Sequence, residues 1–172
     1  MGREDWQTTY KDILRRYLPS LRRLARSYVR DSTDEEDLMQ EIALGLWTAL
    51  PKFRGDASER TWLYRVAHNT AISFVTNRQR RAGREQCGMV DNLPALTVSP
   101  ESSAIEDQQR DRLRAAVEDL PLTDRQILTL YFEGLSAAEI EGVTGLSAGS
   151  VSTRLSRVRQ RLVARVQGGL CK

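Results

Sequence analysis

Apolar residues recur at spacings of three and four along nearly the whole 172-residue chain, and no stretch alternates apolar and polar positions long enough to make a strand. That pattern restricts the chain to an all-α fold. Between Trp6 and Val29 the stripe comprises Tyr10, Ile13, Leu14, Tyr17, Leu18, Leu21, Leu24, Ala25 and Tyr28. Pro19 lies in the middle of it without an amide hydrogen, and is expected to start a second helix or kink a single one, two short helices being favoured. In "TDEEDLMQEIALGLWTAL", Thr33 and Glu36 match a capping box, and the acids of the first turn suit the positive end of the helix dipole. Leu38, Met39, Ile42, Leu46, Trp47 and Leu50 form the inward face of this helix. Pro51 and Gly55 then interrupt the period, and Ser58 is placed to cap a helix from Glu59 to about Arg81. Trp62, Leu63, Val66, Ala67, Ala71, Phe74 and Val75 are its expected buried residues.

From Ala82 to about Ser103 the period lapses into "AGREQCGMVDNLPALTVSPESS", the composition of a linker. The chain therefore divides into two small helical domains, residues 1–84 and 107–172, joined by a flexible linker over 85–106. Periodicity resumes with Leu113, Ala116, Val117 and Leu120. A Thr123-to-Gln126 capping box opens a helix bearing Ile127, Leu128, Leu130 and Tyr131. A second box, Ser136 to Glu139, opens one with Ile140 and Val143, which Gly145 ends. Leu146 fills the turn, and Ser147 or Ala148 begins a last helix with a core stripe of Val151, Leu155, Val158 and Leu162.

The net charge of +3 is small, but the charges are segregated: acid clusters at Asp31 to Glu41, base at Arg78 to Arg84 and again after Arg154. Segregation on this scale points to two different partners. Cys87 and Cys171 are far apart and outside any C-x-x-C pattern, so neither a disulfide framework nor a zinc site is supported. His68 is the only histidine, and no Ser, His and Asp arrangement, paired-carboxylate motif or Walker loop can be assembled. No enzyme, cofactor or metal is expected. No apolar run approaches the ~18 residues of a spanning helix, and the polar start is no signal peptide. A cytoplasmic protein without stable membrane insertion is the expectation.

Three constellations carry chemistry. The helix from about Ala137 to Thr144, the turn at Gly145 and the helix after it form a helix-turn-helix pattern, whose second helix would lie in a major groove. Its non-core positions are Ser150, Ser152, Thr153, Arg154, Ser156 and Arg157, and no acid occurs from Ser147 to Val166. An ordinary helical hairpin with a solvated basic face is the alternative; a one-sign face favours a counter-charge from another molecule, first of all phosphate. The acids Asp34, Glu35 and Glu36 are accounted for by the dipole, but Gln40 and Glu41 lie beyond it and suit either a solvated face or a docking surface for a basic protein. Finally, "FRGDASERTWLYRVAHN" interleaves Phe53, Trp62, Tyr64 and His68 with Arg54, Arg60 and Arg65, as an unpaired strand requires, although core packing is the stronger reading for Trp62.

Read together, "DEEDLMQEIALGLW", "FRGDASERTWLYRVAHNTAI" and "LPLTDRQILTLYFEGLSAAEIEGVTGLSAGSVSTRLSRVRQRL" resemble, in order, the second-region helices, the promoter-melting segment and the fourth-region helix-turn-helix of bacterial RNA polymerase sigma factors of the extracytoplasmic-function type. The resemblance implies that Asp37, Leu38, Gln40 and Glu41 dock the clamp helices of the polymerase large subunit, with the flap as a further contact. It implies that Phe53, Arg54, Ser58, Arg60, Trp62, Arg65, His68 and Asn69 capture an unstacked base of the −10 element, while Arg78, Arg80 and Arg81 hold backbone. Ser150, Ser152, Thr153, Arg154, Ser156 and Arg157 would read or grip the −35 duplex. An anti-sigma partner and a monomeric free state also follow from the resemblance. Ser152 stands where the family often has Lys or Arg, Ser156 where it has an aromatic or His, and Thr76 and Asn77 replace charges. A stand-alone operator-binding regulator and a protein-interaction scaffold are the alternatives.

Overall fold

The computed structural model describes residues 3–85 and 112–167; the expected linker over 85–106 and both cysteines fall almost wholly outside them. Every regular element among the described residues is helical. Helix α1 spans Arg3–Tyr28, α2 Ser32–Ala49 and α3 Glu59–Glu85, with a single 3-10 turn at Leu50–Lys52. Residues 112–118 form α4, followed by α5 (Leu122–Phe132), α6 (Ala137–Thr144) and α7 (Ala148–Gln167).

Three local expectations need correction. Pro19 lies inside one continuous α1 instead of dividing it. Pro19 and Arg15, whose carbonyl loses its partner, are both exposed, while Ile13 on one side and Leu21, Leu24 and Ala25 on the other are buried along one stripe. Packing on both sides outweighs the ~3 kcal/mol that a helical proline costs. Helix α2 is capped by Asp31, whose carboxylate accepts the Thr33 amide at 2.7 Å, and not by Thr33 with Glu36. An anion suits the positive helix end better than a hydroxyl. Helix α5 starts at Leu122 after Pro121 with no side-chain cap, so the Thr123-to-Gln126 box does not form. Gln126 is buried instead, and the Pro121 carbonyl accepts the Arg125 amide at 3.0 Å.

The other caps behave as expected. Ser58 Oγ accepts the Thr61 amide at 3.1 Å, Ser136 and Glu139 complete a reciprocal box, and Gly145 ends α6 at φ 75°, a left-handed conformation costly for any residue with a Cβ. Ser147 Oγ accepts the Ser150 amide at 3.3 Å, and Glu141 of α6 reaches across the turn to take the Ala148 amide at 3.0 Å.

The two halves meet. One continuous core joins Leu21, Leu24, Leu38, Ile42, Leu46, Leu63 and Ala67 of the first half to Ile127, Leu130, Leu135, Ile140, Val143 and Val151 of the second. Helix α1 packs on α5, and α3 on α6. A smaller cluster of Leu120, Leu128 and Val158 holds α7 to α5. Polar contacts reinforce the seam: Glu133 accepts from Arg23 Nη2 at 3.0 Å and from the Tyr64 hydroxyl at 3.2 Å, and Arg30 donates to the Glu118 carbonyl at 2.9 Å. The Arg23 guanidinium holds the Glu133 carboxyl below the usual glutamate range, while burial pushes the Tyr64 phenol up to about 12.

Candidate nucleic-acid interface

The second helix of the helix-turn-helix, α7, lays Val151 and Val158 into the core, with Leu155 and Leu162 half-buried beside them. Ser152, Thr153, Ser156 and Arg157 are exposed on the opposite side, and Ser150 is half-buried at the margin. The Thr153 hydroxyl donates to the Gly149 carbonyl at 2.9 Å, leaving its oxygen able to accept. The basic face, however, is not wholly without internal counter-charge. Arg154 bonds Asp124 Oδ1 at 2.8 Å, Arg161 lies 3.9 Å from Oδ2 of the same carboxylate, and Arg165 pairs with Asp119 at 3.0 Å. Arg157 and Arg159 have no ion pair among the described residues. The expectation that the one-sign face of α7 takes its counter-charge from another molecule is therefore corrected for Arg154 and Arg161, which have Asp124 as an internal partner.

The residues expected at the −10 strand fall into three groups. Arg54, Ser58, Arg65, Asn69, Arg80 and Arg81 are exposed, and the helical repeat puts Arg65, Asn69 and Arg80 on one side of α3. Phe53, half-buried, tilts against Trp62 with ring centroids 4.8 Å apart. Trp62 and His68 are in the interior, 6% and 8% exposed. His68 Nδ1 is hydrogen-bonded to the Tyr28 hydroxyl, and burial lowers the imidazole pKa, so the ring is neutral. These two expected strand contacts are core residues in this arrangement. Arg78 is engaged within the chain by Asp34, whereas Arg60 is half-buried beside Gly134, its Nε buried without a hydrogen-bond partner among the described residues.

On α2, Glu36, Asp37, Gln40 and Glu41 are exposed, whereas Leu38 is fully buried. Leu38 is thus corrected from a docking residue to part of the core. Asp34 and Glu35 are answered internally, the latter by Arg26 at 2.8 Å. Beside this face an open groove of about 500 Å³ runs between α1 and α2, floored by Leu14, Leu18 and Met39 and edged by Gln40. Asp124 and Glu133 were missed from sequence. Asp124 had a signal, being a lone carboxylate three and four residues before Ile127 and Leu128 on an apolar stripe.

A capped helix-turn-helix whose second helix turns small hydroxyls and a guanidinium outward is the geometry of a DNA-binding protein that reads a major groove. Sigma-70 region 2 matches residues 13–81, and Sigma-70, region 4 matches residues 110–162. The chain belongs to the sigma-70 family of RNA polymerase sigma factors, in its extracytoplasmic-function group. It is 30% identical over 172 residues to the ECF RNA polymerase sigma-E factor of Escherichia coli (strain K12), covering 94% of this chain and 88% of that one. It is 34% identical over 143 residues to the RNA polymerase sigma-H factor of Pseudomonas aeruginosa, covering 78% and 74%. Among solved structures, the fold matches the sigma factor RpoE in complex with the anti-sigma factor NepR from Bartonella quintana (TM-score 0.75, 22% identity, 92% of this chain and 97% of that one). It also matches CnrH in complex with the cytosolic domain of CnrY (TM-score 0.66, 26% identity, 94% and 90%). Sigma factors are initiation factors without catalytic chemistry of their own. No helix among the described residues is long and apolar enough to cross a membrane.

Proposed function

We propose that this chain gives core RNA polymerase its promoter choice and helps open the DNA, with its surfaces divided by charge. Asp37, Gln40 and Glu41, with Glu36 beside them, meet the clamp helices of the polymerase large subunit; the second domain meets the flap. Ser150, Ser152, Thr153, Ser156 and Arg157 face the −35 duplex. Arg54, Ser58, Arg65, Asn69, Arg80 and Arg81 face the melted −10 strand, and Phe53 offers its half-buried ring, backed by Trp62. The chain catalyses no bond change. An anti-sigma partner restrains it, as the complexes of its structural relatives suggest.

The outward face of the first three turns of α7 carries this proposal: Ser152, Thr153, Ser156 and Arg157 are exposed there, on the second helix of a capped helix-turn-helix, with no carboxylate from Ser147 to Val166. Promoter engagement also requires the halves to part. The −10 and −35 elements lie roughly 80 Å apart at ~3.4 Å per base pair, whereas a compact chain of this length has a radius of gyration of about 16 Å. The α1–α5 and α3–α6 contacts are therefore broken in the promoter complex, which releases Arg60 from Gly134.

Purified core polymerase should retain the chain, and sequencing DNA held by the reconstituted holoenzyme should return promoters with two separated elements. If polymerase leaves the chain behind while duplex DNA still holds it, the proposal fails and a stand-alone regulator takes its place.

A further inference from the structure

Asp124 occupies the first turn of α5, 7% exposed, beside Ile127 and Leu128 of the core. A carboxylate in such a place is costly unless charge compensates it. Three sources do so here: the positive end of α5, Arg154 Nη1 at 2.8 Å on one oxygen, and Arg161 Nη1 at 3.9 Å from the other. Arg154 and Arg161 are seven residues, two helical turns, apart on the α5-facing side of α7, with Val158 buried between them. A single carboxylate thus grips the helix at two points about 10 Å apart along its axis.

We propose that Asp124 is a positioning residue that sets the selectivity of α7 for its promoter duplex, and that Arg154 acts through it instead of contacting DNA. This rests on α7 being the −35 helix. Two effects follow from the grip. It fixes the roll of α7, so that Ser152, Thr153, Ser156 and Arg157 point outward together. It also withholds the Arg154 guanidinium from phosphate and draws the exposed Arg161 toward the same carboxylate. Sequence-independent affinity grows with each phosphate neutralised, whereas discrimination comes from base edges. Holding Arg154 back, and Arg161 in part, lowers the first term and leaves the second intact.

The test uses the full chain, a duplex carrying the upstream element of a promoter recovered with holoenzyme, and a shuffled duplex of equal composition, titrated by fluorescence anisotropy over a range of salt. Asp124→Asn should steepen the salt dependence on the shuffled duplex by about one to two units of slope, at ~0.9 per phosphate gained, and lower the promoter-to-shuffled affinity ratio by about tenfold. A loosened helix alone would weaken binding without steepening that slope. Arg154→Gln should leave the slope of the promoter duplex unchanged, and Arg157→Gln should flatten it by about one. Flattening by Arg154→Gln, or no change in slope and ratio for a folded Asp124→Asn, overturns the proposal. Should Asp124→Asn not fold, the Arg154→Gln slope decides between the same two outcomes. Equal binding of both duplexes by the unaltered chain, with Arg157→Gln without effect, would instead remove α7 as the reading helix and this inference with it.

Discussion

Helices α2 and α7 each carry charge of one sign, and the protein answers the two surpluses differently. The internal partners of α2 are the surface arginines Arg26 and Arg78, whose side chains are 63% and 55% exposed. Pairs on such a surface contribute little, and they leave Asp37, Gln40 and Glu41 free. Two of the α7 cations, with side chains 39% and 61% exposed, are answered by the single carboxylate Asp124, 10% exposed against 15% and 14% for Glu35 and Asp34. That pairing belongs to the packing between α5 and α7, and it decides which arginines remain available. A charged face read from sequence is therefore an upper bound on the charge a partner meets, and the reduction depends on whether the counter-ion is at the rim or in the core.

The largest expected effect concerns Leu38, which lies under the acidic face. Leu38→Ala should destabilise the protein by about 2–5 kcal/mol in urea unfolding; a loss of polymerase binding with stability unchanged would restore Leu38 to the docking surface. On α7, Arg157→Ala should weaken promoter binding by about 1–3 kcal/mol if it meets a base edge, and the preferred sequence should change at that position. For α2, Glu41→Lys should weaken association with core polymerase at least tenfold, about 1.4 kcal/mol, while the melting temperature stays the same. A lost fold with intact association would break the contrast between the two helices.

The seam between the halves supplies a pH test. Arg23 depresses the native pKa of Glu133, so the folded carboxylate stays charged where an unfolded glutamate takes up a proton. Its stabilisation is complete above the ordinary glutamate range and disappears as the pH falls below it. Urea midpoints measured from pH 7 to pH 3 should fall more for the unaltered chain than for Glu133→Gln; parallel curves would remove Glu133 from the seam. The smallest effect is expected at the α2 rim, where Glu35→Gln should change stability by no more than about 0.5 kcal/mol.

Much of the candidate site was legible before the fold. The Ser136 and Glu139 cap, the left-handed Gly145 and the Val151, Leu155, Val158 stripe depend on steps of three or four residues, and they place the helix-turn-helix directly. The exposed hydroxyls of α7 and the free Asp37, Gln40 and Glu41 follow from helical phase alone. Trp62 and His68 were harder, because an aromatic among arginines serves a base or a core equally well until a neighbour such as Phe53 or Tyr28 is brought against it. Asp31 displaced Thr33 as a cap by starting the helix two residues earlier, where its carboxylate accepts the Thr33 amide.

By itself, then, the sequence determined the helices, most of their ends, the two-part order along the chain and the sign of each surface, since these arise from interactions across one or two turns. The tertiary structure alone decided that α1 passes through Pro19 unbroken, that Arg154 is held by a carboxylate thirty residues away, and that Glu133 meets Arg23 across 110 residues. Burial and ion pairing depend on which remote segments share a volume, and helical periodicity carries no information about distance between segments far apart in the chain.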